Sequence, residues 1–262
     1  QIDITDLAAV EAAVSPDTRA IYCETFSNPD LKVADIAKLA ELAHRHSAVL
    51  VVDNTFLSPA LLRPLEYGAD FVIHSATKYL AGHGQAMGGV VAGPRNQISA
   101  ISARMARFGG VLSPFSAWLL LIGVKTLPLR MERHTATAAR LAEFLAGHPA
   151  VERVNYPGLT GDAGHETAMR LTDGPAGGLL SMRLHGGCDA VGEFVDGLRL
   201  FTIAVSLGEY TSLVWPYPDG LIRLAIGLED SEDLEADLQA ALGKTQSANR
   251  SGGTMTMGEM PA

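Results

Sequence analysis

The stretch "AIYCETFSNPDLKVADIAKLAELAHRHSAVLVVD", residues 20–53, decides the reading of the fold. It opens on one short apolar run, 20–24, and closes on another, 48–53, each of the kind a strand buried in a parallel sheet requires. Between them, apolar residues at 33, 36, 37, 40 and 43 recur at helical spacing and form a stripe wide enough to cover a sheet. Strand, helix and strand together make a β-α-β unit. "DFVIHS" (70–75) and "GGVVAG" (88–93) add two further strands, so residues 1–113 read as an α/β layer structure.

The patterning then changes. Residues 114–147 read as a connecting helical run that Pro128 kinks or splits. Within it "AWLLLIGV" (117–124) falls well short of the ~20 apolar residues that span a bilayer, and it reads as a buried helix. Residues 148–243 suggest a second, smaller α+β domain. Its strands are "LLSMRLHG" (179–186), "FTIAVS" (201–206) and "LIRLAIG" (221–227), with a helix near 189–198 and a last helix, "SEDLEADLQAAL" (231–242). Ser231 is the expected N-cap of that helix, and acids fill its first turn, where the helix dipole favours them. Residues 244–262 lack periodicity and read as a disordered tail.

Composition narrows the function. A net charge of −9 without any block of Lys or Arg offers no footprint for a nucleic acid or an anionic membrane. Cys23 and Cys188 form no CxxC pair, which fits a reducing compartment, and nothing at the front reads as a targeting peptide, so the expected location is the cytoplasm. His44 and His46 stand two positions apart and point away from each other on a helix, so no metal site is expected. The absence of a GxGxxG turn argues against a nicotinamide enzyme.

Open α/β sheets bind ligands beyond the carboxyl ends of their strands, where Asn28, Asp53 and Lys78 fall. Asp53 ends "VLVVD", and a carboxylate at the edge of an apolar layer is costly unless it meets a cation or a donor. Read alone, it serves equally as a turn residue ahead of "SPALLRPL". Lys78 alone is as readily a solvated surface group. Its setting after the apolar "DFVIHSA", however, favours the partly neutral amine that imine chemistry needs. Ser75 and Thr77 add hydroxyl donors for an anion. Carboxylate, lysine and hydroxyls together resemble the requirements of pyridoxal phosphate: a partner for the pyridine nitrogen, an imine-forming lysine and phosphate donors.

Longer segments carry a resemblance. "ETFSNP", "VVDNTFLSP", "RPLEYGADFVIHSATKYLAGHG", "LSPFSAWLLLIGVKTLPLRMERH", "VNYPGL", "AVSLG" and "GLIRLAIGLEDSEDLEADLQAAL" resemble, in order and up to about Leu242, the Cys/Met metabolism (trans-sulfuration) family of pyridoxal-phosphate enzymes. The resemblance implies a fold-type I, aspartate aminotransferase-like transferase fold and a cytoplasmic homotetramer built as a dimer of dimers. It implies Lys78 as the imine-forming lysine, Asp53 as partner of the pyridine nitrogen, Ser75 and Thr77 as phosphate ligands, and Asn28 beside the phenolic oxygen. It also implies Arg223 as the carboxylate-binding residue, with Ser206 beside it.

The expected reaction is cleavage or replacement at the γ-carbon of a sulfur-containing or O-acylated amino acid. Val205 stands where cystathionine-handling members often carry Glu, and "GHG" is similar to methionine γ-lyase, which together favour C–S lyase chemistry. Gln85, where that subgroup usually has Asp, weighs the other way. Cystathionine γ-synthase, cystathionine γ-lyase and O-acetylhomoserine sulfhydrylase are the alternatives. The loop between "SLGEYTSLVWPYP" and "DGLIRL" is shorter than in many family members. Family chains also carry a front portion, ahead of "YCETFSNP", that supplies a phosphate-binding turn and a ring-stacking tyrosine. The expectation is therefore a truncated large domain, inactive alone. A non-catalytic fragment retaining the oligomer-forming fold is the alternative of another class.

Overall fold

The computed structural model describes residues 2–251. Helix α1 (Leu7–Ala13) precedes strand β1 (Ala20–Glu24), helix α2 (Ile36–Arg45) and strand β2 (Val49–Asp53). A short helix α3 (Ser58–Leu61) and a 3-10 turn at Pro64–Tyr67 lead to β3 (Phe71–Ser75) and β4 (Gly89–Ala92). These strands form one sheet in sequential order, parallel through β3 and antiparallel at β4. The β-α-β reading of residues 20–53 holds. In α2 the buried residues are Ile36, Leu39, Ala40, Leu42 and Ala43, so the covered stripe passes through Leu39 rather than Ala37.

Helix α4 (Arg95–Phe108) follows, and the helical run after it is two helices, α5 (Pro114–Val124) and α6 (Leu127–Ala146). The break falls at Lys125 and Thr126. Pro128 lies in the first turn of α6, where its missing N–H costs nothing, so it starts a helix instead of kinking one. The expectation of a buried helix at 117–124 is corrected. Of α5 only Leu120 and Gly123 are buried, while Phe115, Trp118, Leu121 and Ile122 are exposed. Periodicity cannot separate a helix buried all round from one that is apolar all round and covered on a single edge.

Strand β5 (Val151–Asn155), α7 (His165–Thr172), β6 (Leu179–Leu184), α8 (Gly187–Gly197), β7 (Thr202–Ile203), β8 (Leu213–Pro216), β9 (Ile222–Ala225) and α9 (Ser231–Ser251) complete the order. They build a second sheet, β5-β6-β9-β8-β7, antiparallel except for the β7–β8 pair. Only two residues of the expected strand 201–206 pair as one. Asp230, not Ser231, caps α9, its Oδ1 accepting the Glu232 N–H at 2.8 Å, while Ser231 Oγ accepts from Arg140. The helix also outruns the sequence reading. Residues 244–251 are helical instead of tail, and Thr245 is buried with its hydroxyl on the Leu242 carbonyl. Positions 252–262 of the expected tail lie outside the described residues.

A single apolar core runs from Val10 to Leu242, beneath both sheets. Among the described residues no helix is long and apolar enough to cross a membrane. Both cysteines are free. Cys188 is exposed, and Cys23, buried on β1, has its thiol pushed up to about 12, first by burial and then by Glu24 and Asp53.

His134 joins α6 to the segment after β9. Its Nδ1 lies 2.7 Å from the Ile226 carbonyl and 3.1 Å from that of Gly227, so Nδ1 carries the proton and donates. Nε2 is buried without a protein partner, and burial holds the pKa down at about 4 against an ordinary 6.5. Between those values the unfolded chain binds a proton that the folded chain refuses, so stability falls as pH drops from 6.5 to 4. The loss attributable to this ring is up to about 3 kcal/mol. His134→Asn is expected to flatten that part of the slope, read as the difference between wild-type and variant urea midpoints across the pH series.

Candidate active site

Strands β1, β2 and β3 end at one edge. Register places Glu24 opposite Asp53 and Asp53 opposite Ile73, so Glu24, Asp53 and Ser75 emerge together. The edge is anchored from below by Asn54, which is fully buried. Its Oδ1 accepts the Thr25 hydroxyl at 2.9 Å, and its Nδ2 donates to the carbonyls of Ser58 (3.1 Å) and Leu62 (2.8 Å). An amide with both ends engaged holds the strand end firmly. Directly before it, Asp53 points the other way. Its Oδ1 accepts the Thr55 N–H (2.9 Å) and hydroxyl, and its Oδ2 accepts the Tyr22 phenol at 3.1 Å. The Thr55 hydroxyl also accepts the Ser75 N–H at 2.8 Å, coupling the end of β2 to that of β3. Partial burial and the charge of Asp53 push Tyr22 up to about 12, so its phenol remains a donor.

Lys78 sits in the turn after β3, with its N–H on the Ser75 carbonyl and its own carbonyl accepting from Gly82. Its Nζ donates to Ser206 Oγ at 3.0 Å. Burial first, then the positive charge of Arg223, hold the lysine below its ordinary pKa, and Glu209 partly opposes them. Arg223, on β9, is 3% exposed. Its Nη1 donates to Asn28 Oδ1 (2.9 Å) and its Nη2 to the carbonyls of Val205 (2.7 Å) and Ser206 (3.2 Å). Arg223 Nε is buried and without a protein partner, a donor left for a ligand. Asn28 is itself held by its N–H on Glu24 Oε2 at 2.9 Å. Burial pushes the Glu24 carboxyl up, the Asn28 N–H works against it, and the charge of Asp53 adds to the rise.

Asn28, Asp53, Ser75, Lys78, Val205 and Arg223 thus line one cavity of about 240 Å³. Ser206 joins them through the lysine. Thr77 is not among the lining residues; its hydroxyl accepts the Gly88 N–H at 3.0 Å and fastens the approach to β4. Two larger clefts, of about 790 and 760 Å³, lie near the start of the chain and gather none of Lys78, Asp53 and Arg223. Sequence reasoning missed Thr55, Tyr22, Glu24 and Glu209. Thr55, two residues past an Asp at a strand end, carries an Asx-turn signal that could have found it. The segment over the lysine is seated by Gly208, at φ +75°. A Cβ there would lie 2.6 Å from the Tyr79 nitrogen, so the two backbones meet with no side chain between them.

The sequence model of the family described as "Cys/Met metabolism PLP-dependent enzyme" matches residues 1–218. The chain is 45% identical over 261 residues to an L-methionine gamma-lyase of Pseudomonas putida, a match covering 92% of this chain and 65% of that protein. It is 44% identical over 257 residues to an O-succinylhomoserine sulfhydrylase of Pseudomonas aeruginosa, covering 91% and 64%. Its fold superimposes on a solved cystathionine gamma synthase from Xanthomonas oryzae pv. oryzae with a TM-score of 0.90 at 39% identity, over 94% of this chain and 68% of that one. The chain spans about two-thirds of the length of these relatives. It belongs to the Cys/Met metabolism family of pyridoxal-phosphate-dependent enzymes and has their mixed α/β fold.

Gly208→Ala is expected to destabilise the protein by at least ~1 kcal/mol, from the left-handed backbone and the contact with the lysine turn. Gly192→Ala, on the open face of α8, is expected to stabilise it by ~0.5–1 kcal/mol. Urea denaturation of the two variants checks the contrast.

Proposed function

From membership of the Cys/Met family we propose that this protein takes part in pyridoxal-phosphate-dependent cleavage at the γ-carbon of a sulfur amino acid, as a methionine γ-lyase-like C–S lyase. The observation that carries the reading is the convergence of Lys78, Asp53 and Arg223 on one small cavity. The donor set fits the cofactor's ring end: a partly desolvated amine, a carboxylate fixed by Tyr22 and Thr55, and a buried guanidinium with a free Nε. When bound, pyridoxal phosphate supplies an electron sink that acidifies the α-proton of an attached amino acid.

The protein's own residues do the rest. Asp53 would be the partner that keeps the pyridine nitrogen protonated. Lys78 would be the base that takes the proton from Cα and moves protons at Cβ, a role for which a lowered pKa suits it. Arg223 would meet the substrate carboxylate through its unpartnered Nε, with Ser206 beside it, while Asn28 and the carbonyls of Val205 and Ser206 orient the guanidinium. Ser75 and Thr77 are assigned to the phosphate; the Thr77 hydroxyl accepts the Gly88 N–H and keeps its own O–H, 3.4 Å from the Gly88 carbonyl, to donate. Val205, in the cavity lining, would set an apolar side chain near the γ-substituent, which supports departure of a small thiol over a charged group. Gln85, tied to the Ala81 carbonyl, makes no such selection. Cystathionine γ-synthase, cystathionine γ-lyase and O-acetylhomoserine sulfhydrylase activities are the competing assignments.

We further propose that the protein works in the cytoplasm as a homotetramer, a dimer of dimers, in which a second copy covers the exposed apolar side chains of α4 and α5. Phe108 is 88% exposed and Phe115 66%, more than an isolated surface normally offers. Sedimentation as a monomer at micromolar concentration would refute the assembly.

The activity is tested in the chain joined to the front portion that its longer relatives carry, with L-methionine and, separately, O-succinylhomoserine with sulfide. Release of methanethiol, ammonia and 2-oxobutanoate from methionine is the expected result, and exclusive replacement chemistry would overturn the lyase assignment. Lys78→Ala is expected to lower turnover by at least ~100-fold without unfolding the protein, and borohydride reduction of the wild type should place the pyridoxyl group on Lys78.

A further inference from the structure

We propose that Arg130 is the positioning residue for Lys78: its guanidinium, buried on α6, grips the carbonyl of Tyr79 and so fixes the turn that carries the lysine. The inference rests on the assignment of Lys78 as the reactive amine. Arg130 is 5% exposed and directs each nitrogen to a different neutral oxygen. Nη1 donates to the Tyr79 carbonyl (2.8 Å), Nη2 to the Gly123 carbonyl (2.7 Å) and Nε to Thr126 Oγ1 (3.1 Å). The first acceptor lies one residue past Lys78, and the other two lie at the junction of α5 and α6. A planar fork with fixed angles therefore ties the lysine turn to a helix junction, a geometry that a point-like ammonium does not reproduce.

Two glycines make the room. A Cβ at Gly82 (φ +78°) would stand 2.3 Å from Arg130 Nη1, and one at Gly123 would stand 2.2 Å from the Ala81 carbonyl. The turn and the helix junction meet backbone to backbone, with the guanidinium as the bridge. Without it, the turn keeps its internal bonds, Gly82 N–H to Lys78 and Ala81 N–H to Ala76, and the outer support of Gly208. What remains against α5 and α6 is the edge contact between the Tyr79 and His134 rings and the Gln85 amide on the carbonyls of Ala81 and Leu119, and neither holds the Tyr79 carbonyl. Nζ, which faces Ser206, the charges of Arg223 and Glu209, and Asp53 in the cavity lining, gains freedom to reach water.

The test reads the amine itself. The purified protein is incubated with pyridoxal phosphate across a pH series, reduced with borohydride, and its labelled peptides are mapped, with exposed Lys38 and Lys125 as internal references. In the wild type, Lys78 is labelled with a pH midpoint below that of the references. Gly82→Ala keeps Arg130 but displaces its guanidinium from the Tyr79 carbonyl, and Arg130→Lys removes the fork. Each is expected to raise the Lys78 midpoint by about half a pH unit, slowing labelling below the midpoint by ~3-fold, with the references unmoved. Leu145→Ala opens a cavity late in α6 and lowers the melting temperature with the grip intact; its Lys78 midpoint should stay at the wild-type value. An unmoved midpoint in Gly82→Ala, or an equal shift in Leu145→Ala, would overturn the proposal. If Arg130→Lys does not fold, Gly82→Ala decides alone. Failure of the wild type to label at Lys78 would instead refute the assignment of the reactive amine.

Discussion

The peptide joining Lys78 to Tyr79 lies against the backbone of Gly208, and the rest of the site depends on that contact. The two sheets share no strand, so residues far apart in sequence converge only if the segment after β7 can lie flat on the turn after β3. Lys78 and Ser206 are 128 positions apart, and Asn28 and Arg223 are 195. Closing such loops costs entropy that grows slowly with length, and the shared core recovers it by burying apolar surface beneath both sheets. The site is in this sense a product of the whole fold, not of either sheet.

The same closure sets the electrostatics. Lys78 and Arg223 bring two cations into one cavity, and burial disfavours the charge on both. Arginine holds its proton far more tightly than lysine. The repulsion is therefore relieved at Lys78, the group with proton-transfer work to do. On the other side, Glu24 is the carboxyl that burial and the charge of Asp53 push toward its neutral form, while Asp53 is surrounded by donors.

Much of this was legible in the sequence, for identifiable reasons. Strands β1 to β3 bury alternate residues, yet their sequences are short and mostly apolar, and such runs announce themselves. Strands β5 and β8 were missed. The first, "VERVN", carries two charged residues, and the second, "LVWP", ends in proline. Helices α1, α4 and α7 were missed as well, and α4 buries no residue at all, so it lacks the apolar stripe that sequence reading relies on. In the site, Asp53 and Lys78 stood out by their position at strand ends. The residues that orient them did not. Tyr22 and Glu24 belong to a strand whose burial pattern alternates, and only pairing with β2 reveals that they face Asp53. Arg130 offered no local sign, because its three acceptors are set by how a helix junction meets a turn some fifty residues away.

The buried thiol on β1 gives this protein a built-in clock. A thiol reacts through its thiolate, and Cys23 in place is both shielded and held protonated. Cys188, on α8, has no such shelter. A disulfide reagent added to the native protein should therefore consume one thiol promptly, and the second only as fast as β1 separates from its neighbours. The lag between the two is a direct reading of how often the first sheet opens under native conditions.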